Sequence, residues 1–293
     1  VKNRALLLLL LPPLFWAGNA LLARATAGDL PPVALAFWRW ILALVLILPF
    51  TGRDLWAHRR VLWAHWRAVL GLALTSVAAY NTLLYLAVQT TTAINATLVG
   101  TSLPIMVLLL ARLWLGDPIR PRQAMGMVVS IIGLLAVVTR GEPARLATLT
   151  LTPGDGLMLL ASASWAAYSV MLRRFPIPVK GFTLLTALII VGWVMIVPFY
   201  LFELSLGYTV QVRPMTLGVI AYTAVCASLL AYYFWNVGVA ALGAPTAGLF
   251  ANLIPLFTAV LGVALLGETF AWFHSVGGLL IFAGIGLATL PRR

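Results

Sequence analysis

The stretch LPIMVLLLARLWLGD, residues 103–117, sets a proline inside an apolar run and closes on Gly and an acid; IPLFTAVLGVALLGE, residues 254–268, does so again. Pro104 and Pro255 are 151 residues apart, and that offset also carries Ala93 to Ala244, Gly116 to Gly267, Asp117 to Glu268, Gly126 to Gly277 and Gly133 to Gly284. An offset of 149 returns Trp16-Ala17 as Trp165-Ala166 and Arg24 as Arg173. One constant register from Ala93 to Gly133 is a duplication rather than coincidence.

What such runs become depends on their solvent. With 62% hydrophobic and 9% charged residues in 293, and a mean hydropathy of +1.04, the chain has too little polar surface to coat a water-soluble globule. A spanning helix needs roughly 20 apolar residues to cross a hydrocarbon core about 30 Å thick. Ten runs qualify, near 5–27, 33–50, 67–86, 92–114, 122–139, 155–172, 181–202, 214–238, 244–266 and 271–290. The longest connections, 51–66 and 140–153, are polar or broken by Pro and Gly, so no soluble domain is expected. Continuous apolar runs exclude the alternating segments of a β-barrel. The first run lacks a small-residue cleavage site and reads as a helix rather than a removable leader. A single cysteine, Cys226, excludes internal disulfides.

Five runs per copy is an odd number, so the second copy enters from the opposite side. The expected fold is therefore an all-α integral membrane protein of ten transmembrane helices, arranged as two inverted-topology five-helix repeats, 1–140 and 155–293, joined by 141–154. With the N-terminus cytoplasmic, one face carries Lys2, Arg4, Arg53, Arg59, Arg60, Arg67, Arg112, Arg120, Arg122, Arg173, Arg174, Lys180, Arg292 and Arg293, and the other only Arg24, Arg140, Arg145 and Arg213. That bias follows the positive-inside rule and puts both termini in the cytoplasm. It accounts for the net charge of +12 by topology, without nucleic acid as a partner. The basic stretch RDLWAHRRVLWAHWR, 53–67, reads either as a basic amphipathic segment or, preferred here, as a solvated loop lying on anionic lipid.

Two similar halves that can exchange conformations give alternating access by symmetry. Pro104 and Pro255 each remove a backbone donor near mid-helix and free the carbonyl one turn earlier, at Gly100 and Ala251. In lipid such a carbonyl must face protein or a wet cavity. The prolines are thus read either as hinges beside a central cavity or as packed kinks. Thr101 and Asn252, three before each proline, are candidates for capping the opened backbone.

The Trp-Ala in the first helix of each half, the proline in the fourth, the Gly-acid pair after it and the glycine-rich fifth (Gly126 and Gly133; Gly277, Gly278, Gly284 and Gly286) resemble the ten-helix, EamA-type branch of the drug/metabolite transporter (DMT) superfamily. Asp117-Pro118 departs from the Glu268-Thr269 of the second half, in a loop. The resemblance spans the whole chain. It implies a transporter in the bacterial inner membrane and, by similarity to the aromatic amino-acid exporters in this branch, export of amino acids. Other metabolites, drugs or sugar phosphates are the alternatives the same fold allows.

Site residues are sought among polar and aromatic groups at depth. Trp16 and Asn19 share a face of the first run; Trp165 and Tyr168 repeat that spacing in the sixth. Asn81 and Tyr85 in the third run return, at offset 151, as Tyr232 and Asn236 with types exchanged. An amide and a phenol on equivalent faces suit a zwitterion with an aromatic ring, and they also suit helix packing. The inversion places Asn81 in the outer half and Asn236 in the inner. Arg39, about six residues from the end of its run, either snorkels to the interface or meets a substrate carboxylate.

All seven acids, Asp29, Asp54, Asp117, Glu142, Asp155, Glu203 and Glu268, fall in loops or at run ends, so no buried carboxylate is expected to carry a proton or hold a lipophilic cation. His58, His65 and His274 form no metal motif, and no Gly-x-Ser-x-Gly elbow occurs. No cofactor and no catalysis are expected; the partners are a small-molecule substrate and the lipid bilayer. The glycine seams at 126/133 and 277/284 fit packing within a monomer or a weak homodimer face.

Overall fold

A computed structural model describes residues 2–26, 29–179, 181–266 and 269–289. Gly267, Glu268, Lys180, Arg292 and Arg293 lie outside the described residues, as do the side chains of Lys2 and Arg24. Ten helices are long and apolar enough to span a bilayer: α1 Asn3–Leu22, α2 Pro32–Ala57, α3 Trp66–Thr90, α4 Asn95–Leu115, α5 Pro121–Val138, α6 Pro153–Arg174, α7 Gly181–Ser205, α8 Pro214–Leu242, α9 Ala244–Leu265 and α10 Trp272–Thr289. The chain is a multi-pass membrane protein, all-helical among the described residues. Prolines at the starts of α2, α5, α6 and α8 set the boundaries, where a missing N–H costs no internal bond. Gly116, at φ 70°, ends α4 in the left-handed conformation that only glycine adopts without strain.

Helix contacts come in matched pairs. The first helix of the first half, α1, packs on α8 and α9, and its counterpart α6 packs on α3 and α4; α2 meets α7, and α5 meets α10. The glycine seams lie inside one chain: a Cβ on Gly126 would sit 2.4 Å from the Gly284 carbonyl, and one on Gly133 2.6 Å from that of Gly277. Their crossed pairing makes α5 and α10 antiparallel and brings the backbones into contact, which no other residue type permits. This selects the monomer-internal alternative for the seams.

Irregular backbone also recurs in register. A π-helical segment interrupts α3 at Leu74–Ala78, and another interrupts α8 at Thr223–Leu230; adding 151 to 74 and 78 gives 225 and 229, inside the second. Both prolines lie near the middle of their spans, but each span is broken just before them. The fourth helix is broken into Ala93–Gly100 and Ser102–Leu115, and the ninth into Ala244–Phe250 and Leu253–Leu266. Pro104 and Pro255 are each the third residue of the second piece, where no intrahelical donor is required. The Ala251 carbonyl is not orphaned, since the Ile254 amide donates to it at 3.0 Å.

Two further expectations are corrected. The basic stretch after α2 is helical: α2 continues to Ala57 and a short helix follows over Arg59–Ala64, with Trp56 and Trp63 more than two-thirds exposed. Two acids at run ends are buried rather than solvated. Glu203, inside α7, accepts the Val33 and Ala34 amides at the start of α2 at 3.0 and 2.6 Å, while Asp155, in the first turn of α6, accepts from Thr91, Asn95 and the Thr152 amide. Both act on helix starts, where a carboxylate satisfies free N–H groups and opposes the helix dipole.

Candidate functional site

Two contacts join a position to its own repeat. Trp16 of α1 and Trp165 of α6 meet edge-to-face with centroids 5.1 Å apart, and the Asn81 amide of α3 donates to the Tyr232 hydroxyl of α8 at 2.8 Å. Asn81 therefore sits at the junction of the halves, not displaced to one side as the inversion argument expected. The displaced pairs are Asn19 with Tyr85, joined at 3.1 Å, and Tyr168 with Asn236, joined at 2.7 Å. Each is a hydrogen bond between an amide and a phenol, and the second pair is the first with residue types exchanged at both positions.

Around these bonds the aromatic rings form one cluster. Trp165, 1% exposed, contacts Trp16, Tyr80, Tyr168, Tyr232 and Trp235 at centroid distances of 4.7 to 5.6 Å. Such pairs add about 0.5–1.5 kcal/mol each beyond burial. The Trp16 and Trp235 indoles donate to the Ala227 carbonyl and to Ser169. The Trp165 indole N–H is buried and has no partner among the described residues.

Arg39 lies beside this cluster and does not snorkel. It is 1% exposed; Nε donates to Ser228 at 2.8 Å and one terminal nitrogen donates to Asn81 and Tyr85. Its guanidinium carbon lies 5.1 Å from the Trp40 ring centroid and 5.9 Å from that of Tyr85. The other terminal nitrogen, Nη2, is buried without a partner, and every group that Arg39 does bond is neutral. A charge out of water without a counter-ion costs several kcal/mol.

Nine of the thirteen residues singled out from sequence, Trp16, Asn19, Arg39, Asn81, Tyr85, Trp165, Tyr168, Tyr232 and Asn236, thus converge on one core. Of the other four, Thr101 and Asn252 lie in the breaks of α4 and α9, and Pro104 and Pro255 in the helical turn that follows each. Thr101 donates to the Leu98 carbonyl at 2.7 Å rather than to that of Gly100, and Asn252 bonds Ser130 of α5 at 2.9 Å. Ser228, Trp40, Tyr80 and Trp235 belong to the core and were not singled out. Ser228 lies within the π-helical segment of α8, where regular helical spacing does not hold.

A cavity of about 790 Å3 opens at the end of the molecule that carries the termini. Asn3 and Thr289 line it, with Asp117, Arg173, Leu242 and Thr246; Asp117 and Arg173 are ion-paired at 2.8 Å. Arg39 is not in its lining. At the opposite end, the far end, lie the Glu203 and Asp155 contacts and an Asp29–Arg213 ion pair at 3.0 Å.

A description of the EamA-like transporter family matches twice, over residues 3–139 and 152–290. The uncharacterized transporter YyaM of Bacillus subtilis is 28% identical over 278 residues, 92% of this chain and 90% of that protein. A riboflavin transporter of Brucella anthropi is 31% identical over 171 residues, 56% of this chain and 53% of that protein. One solved crystal structure shares the fold with a TM-score of 0.77 at 20% identity, covering 99% of this chain and 98% of the other.

Proposed function

The chain belongs to the EamA-like transporter family, and from that premise we propose that it exports small neutral metabolites, aromatic and other bulky amino acids foremost, by alternating access between two inverted five-helix halves. The observation that carries the substrate class is Arg39: a buried guanidinium with a free Nη2 and only neutral partners, at the edge of an aromatic cluster. A substrate carboxylate supplies the missing counter-charge, and a ring finds faces and edges to stack on. Asn19 and Asn236 offer neutral acceptors to an ammonium group. The acids of the described spans are engaged at helix ends, which leaves a lipophilic cation without a partner at the core. One deep arginine is too little for a sugar phosphate.

The double family match, the antiparallel glycine seam and the paired contacts of Trp16 with Trp165 and Asn81 with Tyr232 support two inverted repeats, 1–140 and 155–293. The cavity at one end and the packed far end support alternating access, with the breaks at Pro104 and Pro255 as hinges. Both termini belong on the cytoplasmic face of a bacterial inner membrane by the arginine bias, so the cavity faces the cytoplasm, as a binding step before export requires.

A second reading, flavin export, draws on the relative named a riboflavin transporter. A neutral tricyclic ring would stack in the cluster but would leave Arg39 without an anion. Counterflow in proteoliposomes with Trp, Phe, Tyr, Met, Thr, riboflavin and a lysine control separates the two. Exchange of the aromatic and bulky neutral amino acids at unchanged mass, with no lysine response, is the expected result. A response to riboflavin alone, or to lysine as strongly as to Trp, would overturn the amino-acid reading.

A further inference from the structure

The two ends differ at positions that the repeat makes equivalent. At the far end the start of α6 is bolted to the connection between α3 and α4. Asp155, 5% exposed, accepts from the Thr91 hydroxyl, from Asn95 Nδ2 at 3.0 Å and from the Thr152 amide at 2.7 Å. Beside it, a Cβ on Gly154 would lie 2.4 Å from the Ala87 carbonyl and 2.8 Å from the Thr91 nitrogen, so the backbones of α6 and α3 touch up to the last turn.

The same offsets transfer these residues to the terminus-bearing end. Subtracting 149 takes Thr152 and Asp155 to Asn3 and Leu6; adding 151 takes Thr91 and Asn95 to Leu242 and Thr246. All four of those residues line the 790 Å3 cavity. There the close approach of α1 and α8 lies deeper in, where a Cβ on Gly238 would meet the Leu9 side chain, and the residues nearer the end line the cavity. Where one end has a carboxylate, a hydroxyl and an amide in contact, the other has two leucines and a threonine around open space.

We infer that Asp155, Thr91 and Asn95 form the far-end gate of the transport cycle, and that the absence of a carboxylate at Leu6 is what leaves the equivalent gate open at the other end. The gate rests on the alternating-access reading. Opening the far end must pull α6 from the α3–α4 connection and give up the Thr91 and Asn95 bonds to a charged acceptor, while the Thr152 bond stays within the α6 start. Chemistry at one gate and not the other therefore sets which side of the membrane the resting protein faces.

The test uses single-cysteine chains in nanodiscs, in a Cys226→Ala background that has no other thiol, and a membrane-impermeant maleimide. Ala240→Cys reports the cavity, which Ala240 lines; Ala96→Cys, at a buried position next to Asn95, reports the far end. In the otherwise unaltered chain the first labels fast and the second slowly. Asp155→Ala should raise labelling at 96 about tenfold and lower it at 240, as loss of a hydrogen bond to a charged group shifts a two-state balance. Asn95→Leu keeps the Asp155–Thr152 contact, so it guards against a folding failure, and should act in the same direction. Leu6→Asp with Leu242→Thr and Thr246→Asn builds the gate at the open end and should slow labelling at 240. Unchanged rates at both probes in folded Asn95→Leu protein would overturn the gate. Aromatic amino-acid counterflow with unshifted labelling sinks the gate alone; shifted labelling without counterflow sinks the substrate reading alone.

Discussion

The far end and the terminus-bearing end are made of equivalent helices, yet they are held differently. The α2–α7 pair illustrates this. Each of these helices ends near an acid directed at the start of the other: Glu203 holds the Val33 and Ala34 amides, and Asp54, 149 residues earlier, accepts from Thr183 near the start of α7. Glu203 is buried, whereas the Asp54 side chain is 53% exposed and shared with His58. A hydrogen bond to a buried charge contributes roughly 1.5–3 kcal/mol, while an exposed pair contributes about 0–1 kcal/mol. Duplicated architecture therefore does not imply duplicated stability; the depth to which each polar contact is sealed makes the difference.

Arg39 breaks the symmetry furthest. Offsets of 149 to 151 land on Leu188, Ile189 and Ile190, so the second half has no such cation. Arg39→Gln should raise the half-saturation constant for an aromatic amino acid about thirtyfold or more, as truncating one partner of a buried charge contact costs roughly 2–5 kcal/mol. Equilibrium binding in detergent would detect this, and an unchanged constant would place the substrate elsewhere.

A smaller effect is expected from Gly154→Val, which forces a side chain into the α3 backbone, against Gly156→Val, where nothing lies within 4 Å of the added Cβ. Overpacking of the first kind costs about 1–3 kcal/mol. Thermal stability should fall for the first and hold for the second; equal midpoints would mean that the far end is not sealed at Gly154. The smallest contrast concerns the two acids of α2 and α7. Glu203→Gln should lower the thermal midpoint by several degrees, while Asp54→Asn leaves it within a degree or so. A larger loss at Asp54 would reverse the ranking of the two ends.

Much of this was legible in residues alone. The ten spans follow from the length and apolarity of the runs, because a bilayer leaves the backbone few alternatives to a helix. The exchanged Asn81–Tyr85 and Tyr232–Asn236 pairs pointed to the core because offset and helical spacing are both sequence quantities. Other features were hidden for physical reasons. The burial of Asp155 and Glu203 depends on which distant groups each carboxylate meets, and those groups lie 60 or more residues away along the chain. Ser228, which bonds Arg39, sits in a π-helical segment that breaks regular helical spacing, and the helices are broken just before Pro104 and Pro255, since proline tolerates a helix start as readily as it disturbs a helix middle.

By itself the sequence determined that this protein lies in a membrane, crosses it ten times and repeats its first half in its second, because hydrophobic length and residue offset are properties of a string. Only the tertiary structure decided that Arg39 is buried without a counter-charge, that the glycine seams close on each other within one chain, and that one end is bolted while the other stands open. Those outcomes depend on which distant side chains share a space too small for water, and contact of that kind exists only after the helices have packed.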